Sequence, residues 1–289
     1  MAHYTDYGTY LKRYFDTKMQ KLTVNAGFTC PNRDGTKSRG GCAYCNVSSF
    51  TPPVTGDNVT QQLESGKQFF SRKYPSMKYL AYFQSYTNTY ANVDRLMTMY
   101  REALDVEDVE GLIIGTRPDM MPDELLSKLA ELAREHYVMV EYGAESSHDA
   151  TLERVNRCHT WNDVVDAVNR THGAGIHVGL HLIMGLPGDD ETMMLETVKR
   201  CCELPVDVLK FHQLQILRGT TLESHADEIR TFEVDEYLDL CARIVRMVPE
   251  SIAIERFTSS SPDGLLLKPR WGLKNYEFVH RLNNLLDRQ

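Results

Sequence analysis

Three cysteines carry the most legible chemistry in the chain: Cys30, then eleven residues rich in turn-forming and basic types, then Cys42 and Cys45 as a tight C-x-x-C. Thiolates are metal ligands, and three at this spacing can hold three corners of a metal centre and leave the fourth open. Two chemistries use such a set. Zinc normally takes four protein ligands in a structural site, and with no second C-x-x-C or C-x-x-H present it would need a distant histidine. An iron-sulfur cluster held by three thiolates keeps one iron without a protein ligand, and that iron can accept the amino and carboxylate groups of a small molecule. The cysteines alone do not choose. The other four, Cys158, Cys201, Cys202 and Cys241, lie in helix-like surroundings, and an odd total of seven favours metal binding over a disulfide framework.

The elements that must position this loop alternate along the chain. Short β-like runs occur at KLTVNAG (21–27), KYLAYFQ (78–84), GLIIGT (111–116), YVMVEYGA (137–144), IHVGLHLIMG (176–185), VLKFHQLQIL (208–217) and IAIERF (252–257). Helix-like segments fall between them at 60–73, 93–105, 122–136, 161–174, 190–203 and 234–247. The third of these starts on Pro122 and Asp123 and repeats apolar residues at Leu125, Leu126, Leu129, Leu132 and Ala133. Mostly apolar strands alternating with amphipathic helices predict an α/β protein with a parallel sheet. Six or seven units and no linker rich in Pro, Gly or Ser predict a single domain over 1–289. Its expected form is a partial (β/α)6 TIM-type barrel at about 20–220, with a C-terminal strand and helix extension at 221–289. A doubly wound sheet is the alternative. In such barrels the site lies at the carboxyl ends of the strands. Polar or Gly-rich residues do follow each strand here: the cysteine loop, QSYTNTY, TRPD, ESSHD, GLPGDD and QILRGT.

Composition narrows the setting. Hydrophobic residues make up 42% and charged residues 25% of 289, an ordinary globular mixture, and no apolar run approaches eighteen residues. The start MAHYTDYGTY lacks an apolar core, so the expectation is a cytoplasmic protein without a membrane span. A net charge of -8 argues against indiscriminate coating of nucleic acid, yet residues 1–50 carry seven Lys/Arg against three Asp/Glu and 256–289 carry six against three. These basic ends suit phosphates as well as plain solvation.

With these loops in view, the chain resembles the radical S-adenosylmethionine enzymes, in the group of the Elongator catalytic subunit and coproporphyrinogen dehydrogenase, and more narrowly the YhcC-type subgroup. GFTCPNRDGTKSRGGCAYCN, AYFQSYTNTYA, TRPD, EYGAESSHDATLERVNRCHT, GLHLIMGLPGDD and LLLKPRWGLKNYEF carry the likeness. Most of that superfamily uses C-x-x-x-C-x-x-C, and the long first gap here matches the subgroup. The resemblance implies a [4Fe-4S] cluster on Cys30, Cys42 and Cys45, with S-adenosyl-L-methionine on the unique iron. It also implies that Gly40 and Gly41 admit the cluster closely, and that Tyr44 fills an aromatic slot. Where relatives carry a Gly-Gly-Glu-Pro type loop, this chain has Gln84, Ser85 and Thr87, oxygen donors for the cofactor ammonium. Glu145 takes the place of a ribose- or methionine-binding glutamine. Arg157, twelve residues on, takes that of a carboxylate-binding arginine; a surface pair with Glu153 or Asp149 is its plainer reading. Thr116, His181, Ile183 and Leu214 complete the implied cofactor seat, although a strand histidine such as His181 is more often a structural hydrogen-bonder.

The activity implied is one-electron cleavage of S-adenosylmethionine to a 5′-deoxyadenosyl radical, with an external flavodoxin- or ferredoxin-like reductant. The substrate implied is the wobble uridine of tRNA, with loss of part of a carboxymethylaminomethyl side chain. Substrate contacts are expected from Arg33, Lys37, Arg39, His212, Lys268, Arg270 and Lys274. The tail from Pro262 is expected to close the open side of the barrel, or else simply to cover the core with Leu282, Leu285 and Leu286. Two rivals stand: a radical enzyme for a small metabolite, and a non-catalytic RNA-binding module stabilised by zinc or a cluster.

Overall fold

Strand follows strand in chain order in a computed structural model that describes residues 3–51, 56, 58–72 and 76–288. The sheet begins with β1 (Met19–Val24), β2 (Lys78–Phe83), β3 (Val109–Thr116), β4 (Tyr137–Glu145), β5 (His177–Met184) and β6 (Val208–Gln213). The chain then turns aside into the short β7 (Ile216–Leu217), and β8 (Ala253–Ile254) takes the place beside β6. Every pair in this seven-stranded sheet is parallel. Parallel neighbours need crossovers, and helices supply them. After α1 (Tyr7–Leu11) come α2 (Val59–Ser71), α3 (Val93–Leu104), α4 (Asp123–Leu132), α5 (Asp149–Arg154), α6 (Trp161–Gly173), α7 (Glu191–Cys202) and α8 (Val234–Met247). The chain closes with β9 (Leu266–Lys268), antiparallel to β7, and α9 (Asn275–Leu286). None of the described helices is long and apolar enough to cross a membrane.

Alternation along each strand sorts side chains between two faces. Outward residues such as Leu22, Val24, Ala81, Leu112, Val140, Val178 and Leu209 join the helices in the main core. Inward residues stack in layers. At the amino-terminal end, Leu80, Ile113, Met139, Val208 and Ala253 pack against Tyr10 and Leu11 of α1, which plugs that mouth. One step further along the strands lie Lys21, Tyr82, Glu141 and Lys210, joined by Glu255 just past β8, a charged layer linked by salt bridges. Beyond it a cavity opens at the carboxyl ends.

The half-barrel matches the expected class, with differences in detail. Seven strands share the sheet. The run at 208–217 is two strands, because the chain bends after Gln213, and both Gln213 and Gln215 donate to the Ser259 carbonyl. The helix expected at 122–136 stops at Leu132, where Arg134 and Glu135 donate back only three residues. Position 73, the expected end of the first helix, lies outside the described residues. The end of the tail covers the core, with Phe278, Leu282 and Leu286 of α9 buried in the main cluster and the Trp271 ring stacked on Phe278 at 6.0 Å. Earlier in the tail, β9 pairs with β7, whose Leu217 lines the cavity at the carboxyl ends.

Candidate cofactor site

A cavity of about 400 Å³ lies at the carboxyl ends of the strands, within the usual size of small-molecule sites. All three loop cysteines, Cys30, Cys42 and Cys45, reach its wall. Local sequence explains how. The eleven-residue spacer folds back on itself, with Asp34 bridging Arg39 and the Pro31 carbonyl accepting from Lys37 and Ser38. Gly40 and Gly41 adopt φ of 82° and 89°, a region only glycine enters freely. At Gly41 a Cβ would stand 3.0 Å from the Arg33 guanidinium, which crosses the glycine to donate to the Cys45 carbonyl at 2.7 Å. Ala43, inside the C-x-x-C, is the anchor: it packs with Val155, Ile183, Leu186 and Leu214, and its backbone bonds Val155 and Leu222.

The segment after α5 grips the loop from the other side. Asn32 donates to the carbonyls of Asn156 and Arg157 and reaches Cys42 Sγ at 3.5 Å, while Asn156 donates to the Gly41 carbonyl. Asn156 and Cys158 hold positive φ of 52° and 58°; Tyr86 and Glu145, on the cavity wall, do so too at 68° and 67°. Backbone held in this region by non-glycine residues is strained, and four of the five such residues described, all but Asp108, surround this site. Arg117 steadies the segment by donating to the carbonyls of Arg157 and Cys158 while its fork grips Asp119 at 2.9 Å.

Arg157 lies across the site. It donates to the Gly143 carbonyl at 2.7 Å, reaches Cys42 Sγ at 3.6 Å, and stands 3.6 Å from Glu145. Its partner is therefore Glu145, not the Glu153 or Asp149 of the plainer reading. Burial works against ionisation of Glu145, yet His181, bonded at 2.9 Å, and Arg157 hold its carboxyl down at about 2. The His181 ring meets His212 at 4.7 Å. Burial, His181 and Arg256 push the His212 imidazole well below its ordinary value; its Nδ1 faces the Gln213 carbonyl at 2.7 Å and so carries the proton. Burial and neighbouring Cys42 push the Cys45 thiol up to about 11.

Of the expected cofactor residues, Gln84, Thr87, Thr116, Glu145, Arg157, His181, Ile183 and Leu214 share the cavity wall. Ser85 sits behind it, bonded to Thr51. Arg33 and His212 line the cavity. The other expected substrate residues do not meet there: Lys37 pairs with Asp119, Arg39 covers Gly35, Lys268 donates to the Ile229 carbonyl, Arg270 binds the Leu266 carbonyl, and Lys274 caps α9. Sequence reasoning missed Tyr82, Glu141, Lys210 and Arg256. Charged residues inside otherwise apolar strands were the available signal.

Among the described residues four buried polar atoms of the wall have no partner: Tyr44 OH, Thr87 Oγ1, Arg157 Nε and Arg256 Nε. Buried polar groups are normally bonded, so these mark where a polar ligand completes the site. A ligand with an ammonium, a carboxylate and hydroxyls suits that set. Among the described residues no three His, Cys, Asp or Glu side chains converge on a single-ion position. A cluster, whose thiolates attach to separate irons, does not require them to.

A half-barrel with three thiols and a polar cofactor seat at its strand ends is the architecture of a cluster-dependent enzyme. The chain belongs to the radical SAM superfamily: residues 29–201 match that family, and residues 206–288 match the Radical_SAM C-terminal domain. The family's [4Fe-4S] cluster and S-adenosylmethionine are its cofactors. The chain is 36% identical over 269 residues to the protein YhcC of Escherichia coli, covering 92% of this chain and 86% of that one. It is 25% identical over 156 residues to a tRNA uridine(34) acetyltransferase of Methanocaldococcus jannaschii, covering 52% of this chain and 28% of that one. Its fold is similar to the structure of archaeal Elp3 from Methanocaldococcus infernus, with a TM-score of 0.72 at 15% identity; the match covers 94% of this chain and 63% of that one.

Proposed function

We propose that the protein acts on the C5 side chain of the tRNA wobble uridine, removing part of a carboxymethylaminomethyl group by radical chemistry. The observation that carries the radical half is the meeting of Cys30, Cys42 and Cys45 with the unpartnered Tyr44 OH, Thr87 Oγ1 and Arg157 Nε on one cavity. The tRNA half is supported by the likeness to a tRNA uridine(34) acetyltransferase and by the basic ends of the chain. Bound in the cavity, the cluster and S-adenosylmethionine would supply one-electron, hydrogen-abstracting radical chemistry.

The chain's own residues bind, orient and exclude. The three cysteines would hold the cluster, and Asn32 and Arg157 donate to Cys42 sulfur, which would moderate its charge. Arg157 Nε would serve the cofactor carboxylate, while Thr87 Oγ1 and Gln84 would accept from its ammonium. Glu145 accepts from ribose hydroxyls, and Ile183 and Leu214 give the adenine an apolar wall. Electrons arrive from a flavodoxin- or ferredoxin-like donor in the cytoplasm.

Anaerobic reconstitution followed by reduction with S-adenosylmethionine and wobble-modified tRNA tests both halves. The expected result is 5′-deoxyadenosine together with a changed C5 side chain on the wobble uridine. Colourless protein holding one zinc would overturn the radical half. Unchanged wobble nucleosides in cells lacking the protein would overturn the tRNA half and point to a small metabolite.

A further inference from the structure

One layer of the barrel lumen is charged and paired. Lys21 lies 2.5 Å from Glu255 and 3.9 Å from Glu141, and Lys210 lies 2.7 Å from Glu141 and 3.5 Å from Glu255. These two ammonium groups and two carboxylates neutralise one another, and the Tyr82 hydroxyl donates to Glu141 as well. Arg256 lines the cavity just beyond this layer, on the same wall as Lys210 and His212. Among the described residues no carboxylate lies within ion-pairing distance of its guanidinium, and its buried Nε has no hydrogen-bond partner. The layer is thus balanced within itself, and the charge of Arg256 has no carboxylate of its own among the described residues.

A guanidinium that lines a cavity with its Nε buried and unbonded is best satisfied by a ligand that supplies the counter-charge. Arg256 is also separate from the proposed cofactor seat: it follows β8, two places along the sheet from β5, and the cofactor carboxylate already has Arg157. We infer that Arg256 is a substrate-binding residue that receives a carboxylate, as a planar two-pronged ion pair at the inner end of the cavity. The planar fork of Arg256 offers two parallel N–H donors, which one carboxylate matches edge on. His212, neutral and with its Nδ1 proton committed to the Gln213 carbonyl, adds no second cation. This deepens the wobble-uridine reading and rests on it, because the carboxymethylaminomethyl group ends in a carboxylate.

The test uses the anaerobically reconstituted protein and two nucleosides, 5-carboxymethylaminomethyluridine and 5-aminomethyluridine, neither of which carries a phosphodiester. Wild type should prefer the carboxylate nucleoside by roughly tenfold or more. Arg256→Gln should lose the preference, Arg256→Lys should keep part of it, and S-adenosylmethionine affinity should stay unchanged in both. A preference that survives Arg256→Gln overturns the assignment, and a loss confined to S-adenosylmethionine affinity moves Arg256 to the cofactor. If neither nucleoside binds wild type, the wobble-uridine reading fails by itself. Arg256 is then judged by its modification with phenylglyoxal, followed by peptide mass spectrometry. N-acetylglycine should slow the reaction at Arg256, while N-acetylglycinamide and dimethyl phosphate should not. Equal rates in all three overturn the carboxylate site without recourse to any variant.

Discussion

Arg157 shows how much one side chain is asked to do: it touches Cys42, a strand carbonyl and Glu145, and still has Nε unspent. Lysine would keep the charge and lose the fork. Arg157→Lys should therefore weaken S-adenosylmethionine binding by about 10- to 100-fold, the worth of a charge-assisted hydrogen bond, while iron content stays near wild type. Equilibrium binding to reconstituted protein reads this, and unchanged affinity would place the carboxylate elsewhere. Cys158 gives the opposite expectation. Its thiol faces Asn156 Oδ1 at 3.3 Å within its own turn, so Cys158→Ser should load iron as wild type does, whereas Cys42→Ser should not. Iron and sulfide analysis separates the two. At this scale the sequence was informative where partners are close in the chain: the cysteine loop is one short segment, and Glu145 and Arg157 are twelve residues apart. Arg256 was invisible because its surroundings come from β2, β4 and β6, far away in sequence.

Strands and helices were legible because their periodicities differ, and most boundaries agree within a residue or two. What the pattern hid was the charged layer, since Glu141 and Lys210 each interrupt an apolar strand and only the sheet's curl brings them to 2.7 Å. Burial opposes ionisation of Glu141, but Lys210 and Lys21 hold its carboxyl well below the usual range, so the layer is ionic. Such a network is costly to break from one side. Lys210→Met leaves two buried carboxylates sharing Lys21, and it should destabilise the protein by about 3–5 kcal/mol. Adding Glu141→Gln removes the orphaned charge and should recover a large part of that loss. Urea unfolding of the two single variants and the double variant measures the coupling. Additive losses would mean that the layer does not act as a unit.

Taken whole, the half-barrel was foreseeable from alternation, whereas its closure was not: α1 plugs one mouth and α9 backs α8 through contacts that no local pattern encodes. The same global burial sets the response to acid. Burial and then Arg157 bring His159 from 6.5 down to about 4, and His212 is likewise pushed down. A histidine with a lowered folded pKa binds its proton more weakly than the unfolded chain does. Its contribution is complete above about pH 6.5 and is lost as pH falls toward 4. Each such histidine steepens the fall by up to about 1.4 kcal/mol per pH unit. Glu145, held at about 2, acts lower: its contribution is present above about 4.5 and is lost toward pH 2. Stability should thus be level above neutrality, decline from about pH 6.5, and decline further below 4.5. His159→Gln keeps a hydrogen-bonding side chain and cannot take up the proton, so it should flatten the first decline and leave the second. Urea midpoints measured from pH 8 to 3.5 decide it: curves for wild type and variant that run parallel between pH 6.5 and 4 would remove His159 as the source.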